Sequence, residues 1–89
     1  MIALHVSIFG GVQGVGFRNW MLELAKKYSV TGWVRNASDG SVEAFIQGEE
    51  SSVNDLLALC WEGPNIADVE DVLTQDSSVE ETINTFEIH

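Results

Sequence analysis

Apolar and polar residues alternate from the start of the chain, with Leu4, Val6 and Ile8 on one side and His5 and Ser7 on the other. A period of two places successive side chains on opposite faces of a strand, so residues 2–9 are predicted as a half-buried strand. The period then lengthens. Phe17, Met21, Leu24, Ala25 and Tyr28 recur at helical spacing, with Glu23, Lys26 and Lys27 off that face, which predicts an amphipathic helix ending before Thr31-Gly32. Trp33 to Asn36 reads as a second strand. Asp39-Gly40 is a hairpin-turn signal, and Val42 to Ile46 returns as a third strand that Gly48 stops. A second helical pattern runs through Val53, Leu56, Leu57 and Cys60. Ser52 and Asp55 have capping-box spacing, which places its start nearby, and Gly63-Pro64 ends it because proline cannot continue a helix. Ile66 to Leu73 reads as a fourth strand with a bulge in its imperfect alternation, Gln75 to Thr82 as polar loop, and Ile83, Phe86 and Ile88 as a short terminal strand.

The order β-α-β-β-α-β plus a short strand matches the split-βαβ, ferredoxin-like arrangement. The expected fold is therefore α+β, a two-layer sandwich with a mostly antiparallel sheet and both helices on one face. The first strand is then central, and the loop after it opens at one end of the sheet. With 89 residues, of which 45% are hydrophobic, the chain fits a single globular domain over residues 1–89.

Charge narrows the partners. The chain has 14 Asp and Glu against four Lys and Arg, for a net charge of −10. All four cations, Arg18, Lys26, Lys27 and Arg35, precede or adjoin Asn36, and every acid except Glu23 follows it. Nucleic acid and anionic membrane surfaces both demand a basic face, so neither is an expected partner. Glu49-Glu50 and Glu80-Glu81 read as solvated loop charge. There is no signal-peptide pattern at the N-terminus and no apolar run of transmembrane length. With Cys60 alone no intramolecular disulfide can form, and its place on the apolar helix face reads as core. A cytoplasmic monomer is expected.

Against this acidic background one segment stands out, Gly11-Val12-Gln13-Gly14-Val15-Gly16-Phe17-Arg18. It joins a strand to a helix, its glycines leave backbone N–H groups accessible, and it ends on a guanidinium. Amides at a helix N-terminus beside an arginine make an anion site, with phosphate the obvious guest. No Gly-Lys-Ser/Thr follows, so it is not a P-loop, and the glycine order is not that of a dinucleotide fingerprint. Arg18 faces the positive end of the helix dipole, a local conflict that a bound anion resolves. Asn36, at the end of the second strand, offers an amide able to orient water, whereas Arg35 points to the opposite face. His5 and His89 have no partner at metal-ligand spacing, so no metal and no cofactor are expected. The residues alone leave two readings open: a hydrolase, or a module that binds an anionic metabolite without turnover. A pure anion site has no need of the amide at Asn36.

The glycine segment, followed by Gly32-Trp33-Val34-Arg35-Asn36, Asp39-Gly40, Val42-Glu43 and Gly48, resembles the acylphosphatases. Gly63-Pro64 with Ala67 and Val69, and the closing Phe86-Glu87-Ile88, continue the likeness over nearly the whole chain. The resemblance implies a small, metal-free, ferredoxin-like hydrolase of carboxyl-phosphate anhydrides, with an acyl phosphate as substrate and inorganic phosphate as product. It also implies that Arg18 binds the phosphate, that Asn36 positions the attacking water and that the loop amides from Gln13 to Arg18 cradle the phosphoryl oxygens. The chain departs from the family where basic residues are common, with Gly11 in the loop and Trp61-Glu62 before Gly63-Pro64. Both changes thin the positive field around the loop.

Overall fold

The computed structural model describes all residues, Met1 to His89. Its elements are β1 (Ile2–Gly11), α1 (Phe17–Tyr28), β2 (Thr31–Asn36), β3 (Val42–Gly48), α2 (Glu50–Cys60), β4 (Asp68–Ser77) and β5 (Phe86–Ile88). One sheet takes the order β4-β1-β3-β2-β5. β1 is antiparallel to both β3 and β4, β2 is antiparallel to β3, and β5 alone runs parallel, beside β2. The expected ferredoxin-like sandwich is thus present, with a mixed five-stranded sheet.

The alternation in β1 does what its period predicts. Val6 and Ile8 are fully buried under the helices with Val34 of β2 and Val42, Ala44 and Ile46 of β3. Phe17, Met21 and Ala25 of α1, with Val53, Leu56 and Cys60 of α2, close this core from above. Burial pushes the Cys60 thiol up to about 12, so it is neutral packing material and no nucleophile. Shortening one of the large apolar residues here costs about 2–5 kcal/mol through lost contacts and the cavity left behind.

Several boundaries differ from the sequence reading, among them those of α2 and β4. α2 begins at Glu50, before Ser52, with Glu49 as N-cap and no side-chain capping bond; the Val53 N–H already donates to the Glu49 carbonyl at 3.0 Å. The acids Glu49 and Glu50 therefore belong to a helix start and not to a loop. β4 runs from Asp68 to Ser77, later than Ile66–Leu73, because β1 is long enough to pair Ala3 with Ser77. An edge strand gains its backbone bonds from one neighbour whatever its outer side chains are, so polarity hides it. The expected bulge is real: Phe9 pairs with Asp71 and Gly10 with Val69, leaving Glu70 unpaired.

The segment between β4 and β5 is held by Gln47, only 2% exposed on β3. Its Nε2 donates to the Glu80 and Ile83 carbonyls at 2.9 and 3.0 Å, and its Oε1 accepts the Glu80 N–H at 2.7 Å. That anchorage returns the chain so that β5 can dock against β2.

Candidate active site

β1 carries the chain to one end of the sheet, and residues 12–16 turn it into α1. Both ends of the turn are set in the core, with Val12 1% and Phe17 2% exposed. Gly16 is the N-cap of α1 at φ 78° and ψ 19°, the left-handed region. A residue with a Cβ adopts it at a cost of roughly 1–2 kcal/mol, which accounts for glycine at this position. No side chain caps α1 and no acid lies in its first turn. Its first amides are therefore free of intrahelical partners at the positive end of the dipole, and Arg18 adds a full charge to the same turn.

A cleft of about 160 Å³ opens at this helix end, lined by Val12, Gly14, Gly16, Phe17, Arg18, Asn19, Asn36 and Ile88. Asn36 reaches it through strand parity. Val34 is fully buried toward the helices, and Asn36, two residues on, continues that row beyond the core. Arg35 takes the other face, where it bonds to Glu43 across the strands and where His5 Nε2 lies 2.9 Å from the same carboxylate. The hydrogen bond from Arg35 holds the Glu43 carboxyl below its usual range. Of the two arginines, then, one is engaged on the open face of the sheet and one lines the cleft.

The loop and the hairpin that bears Asn36 are one unit. Gln13 Nε2 donates to the Ala37 carbonyl at 2.8 Å and to the Ser41 carbonyl at 2.9 Å. The hairpin is closed by the Ala37 N–H bonding to the Ser41 carbonyl at 2.8 Å. It is stiffened by Asp39, whose Oδ1 accepts the Ser41 hydroxyl and amide at 2.6 and 3.0 Å. Those two bonds lower the Asp39 carboxyl below its ordinary value.

Of the residues singled out in the sequence, Val12, Gly14, Gly16, Phe17, Arg18 and Asn36 meet around the cleft. Gly11 does not; it ends β1 opposite Asp68. Gln13 contributes its side chain to the hairpin, a role that a reading confined to loop amides overlooks. Val15 packs against the core. Two lining residues were not foreseen. Asn19 follows Arg18 in the first turn, which is a visible signal. Ile88 arrives from β5, where it pairs with Val34, and nothing local announces that. No group of three His, Cys, Asp or Glu side chains is placed to hold a metal ion.

The acylphosphatase family profile matches residues 4–88. An acylphosphatase of Acidiphilium cryptum is 48% identical over 73 residues, covering 82% of this chain and 80% of the relative. The crystal structure of acylphosphatase from Bacillus subtilis has a TM-score of 0.95 at 31% identity, covering 100% of this chain and 99% of that one. The structure of an acylphosphatase from Coxiella burnetii has a TM-score of 0.94 at 38% identity, covering 99% and 92% of the two chains. With sequence and backbone in agreement from the first strand to the last, the chain belongs to the acylphosphatase family.

Proposed function

We propose that the protein hydrolyses the carboxyl–phosphate anhydride of acyl phosphates by direct attack of water, with Asn36 holding the water and Arg18 and the loop amides holding the phosphoryl group. Family membership supports the reaction class. The observation that carries the residue roles is the meeting of Arg18 and Asn36, which come from different elements, in one small cleft at a helix N-terminus. An anion site alone has no use for the second of them.

The chemistry asks little of the protein beyond position and charge. A bond forms from the water oxygen to phosphorus as the bond from phosphorus to the acyl oxygen breaks, and the carboxylate leaves with that electron pair. The water proton passes to a phosphoryl oxygen of the substrate. Charge spreads over the equatorial phosphoryl oxygens in a loose transition state, where a bidentate guanidinium and fixed amides stabilise it. A carboxylate is a good leaving group, so a strong general acid is unnecessary; no His, Lys, Asp or Glu lines the cleft. The proposed mechanism needs no metal. It extends to one domain over residues 1–89 working as a monomer in the cytoplasm, where the single buried thiol of Cys60 suits a reducing medium.

Benzoyl phosphate hydrolysis, with and without a chelator, tests the reading; equal rates in both are expected. Asn36→Ala is expected to lower kcat by about 10²-fold with KM little changed, since misplacing a reacting group costs about that much. Full activity in Asn36→Ala would sink the water-holding role, and loss of activity with chelator would sink the metal-free mechanism.

A further inference from the structure

The cleft presents one apolar side chain that this reaction leaves unused. Of its three hydrophobic lining residues, Val12 and Phe17 are buried beneath the loop, whereas Ile88 is 37% exposed. Ile88 pairs with Val34, two positions along β2 from Asn36, and the following His89 N–H fastens the strand to the Val34 carbonyl at 2.8 Å. The side chain therefore stands on an ordered strand and lines the same cleft as the residue proposed to hold water.

Size decides which part of the substrate it meets. At about 160 Å³ the cleft is smaller than the roughly 300–1,000 Å³ pockets that enclose drug-sized ligands. With a phosphoryl group held by Arg18, too little of this volume remains to enclose a large acyl group, which then extends to where Ile88 stands exposed. Charge decides what kind of acyl group that mouth accepts. Arg18 is the only ionisable residue in the lining, and the phosphoryl group uses it. A second anionic group on the substrate finds no further cation there and meets a chain with a net charge of −10.

We infer that Ile88 is the seat of the acyl group, so that the enzyme selects acyl phosphates with an apolar, uncharged acyl part over those carrying an additional carboxylate. This rests on the cleft being the phosphoryl site, as proposed above. An aryl or branched aliphatic group covers the exposed isoleucine and removes both surfaces from water. An acetyl group is too short to gain much from it, and a carboxylate at that place loses hydration without a partner.

The test compares kcat/KM for acetyl, benzoyl and 4-carboxybenzoyl phosphate in the wild-type enzyme, Ile88→Ala and Ile88→Lys. The wild type is expected to prefer benzoyl phosphate to both others. Ile88→Ala is expected to lower the benzoyl-to-acetyl ratio by roughly 3- to 10-fold, the scale of a partly exposed apolar contact. Ile88→Lys is expected to raise the 4-carboxybenzoyl-to-benzoyl ratio by about tenfold, since it supplies the missing cation. Ratios cancel a general loss from a loosened strand, and thermal unfolding of each variant identifies one that fails to fold. Unchanged ratios in both folded variants, with acetyl phosphate still hydrolysed, would overturn the assignment of Ile88. Hydrolysis of none of the three by the wild type overturns the hydrolase reading itself, and the assignment with it.

Discussion

α1 and α2 lie on the same face of one sheet, and their N-termini are finished with opposite charges. α2 has Glu49 as its N-cap and carries Glu50 in its first turn, so negative charge meets the positive end of its dipole. α1 starts at a left-handed glycine, has no acid in its first turn and places Arg18 there. Neither start has a side-chain capping bond, so the contrast is one of charge. At its other end α1 obeys the usual rule, with Lys26 and Lys27 in the last turn. The exception is confined to the end that borders the cleft. A helix end arranged for stability repels an anion, and one arranged to receive an anion gives up local stability until the anion arrives. The sign of the charge at the helix start therefore sets α1, the terminus proposed to receive an anion, apart from α2.

Exchanging the roles of the two termini gives the largest effect. Arg18→Ala is expected to cost about 10³–10⁵ in kcat/KM for benzoyl phosphate, with thermal stability equal or higher because an unfavourable charge has gone from the dipole. Glu50→Gln is expected to do the reverse, lowering stability by about 0.3–1 kcal/mol in denaturant titration while hydrolysis continues. Equal stability losses in the two variants would dissolve the comparison.

A smaller effect is expected from uncoupling the α1 terminus from its hairpin. Gln13→Ala removes both bonds to the Ala37 and Ser41 carbonyls and leaves Arg18 in place. Turnover is expected to fall by about 10- to 100-fold through misplacement of Asn36 relative to the phosphoryl group. Competitive inhibition by inorganic phosphate, which on the proposed roles needs only the loop and Arg18, should weaken far less. Parallel losses in turnover and phosphate binding would show that Gln13 merely supports the loop.

The smallest effect concerns the field in which the terminus of α1 sits. The surplus of ten negative charges repels an anionic substrate at long range, and salt screens that repulsion more than contacts inside the cleft. A rise of a few-fold in kcat/KM is expected between ~10 and ~100 mM salt, as the Debye length falls from ~30 to ~10 Å. A flat or falling profile would mean that local binding of the anion governs the encounter.

Much of this was legible in the chain itself. Periods of two and of three to four residues mark β1, α1 and α2, the Asp39-Gly40 turn marks the hairpin of β2 and β3, and the glycine segment with Arg18 points to an anion site. Strand parity alone separated Asn36 from Arg35, because neighbouring residues on a strand cannot share a face. The weakest elements were those whose bounds depend on a partner. The Ser52–Asp55 spacing put the start of α2 nearby without fixing it, and the helix opens at Glu50. The polar stretch after Gln75 concealed the end of β4, which β1 holds.

The sequence by itself determined the kinds of element, the direction in which each buries its side chains, and the presence of a glycine loop ending on Arg18 between β1 and α1. Tertiary structure decided which of these meet. Gln13 reaches carbonyls 24 and 28 positions away, Gln47 holds carbonyls 33 and 36 positions away, and Ile88 comes to Asn36 only because β5 docks in parallel on β2. Local pattern records which face of an element is apolar, since burial repeats with its period. It holds no record of which distant backbone groups a polar side chain will satisfy, because that partner exists only once the strands have paired.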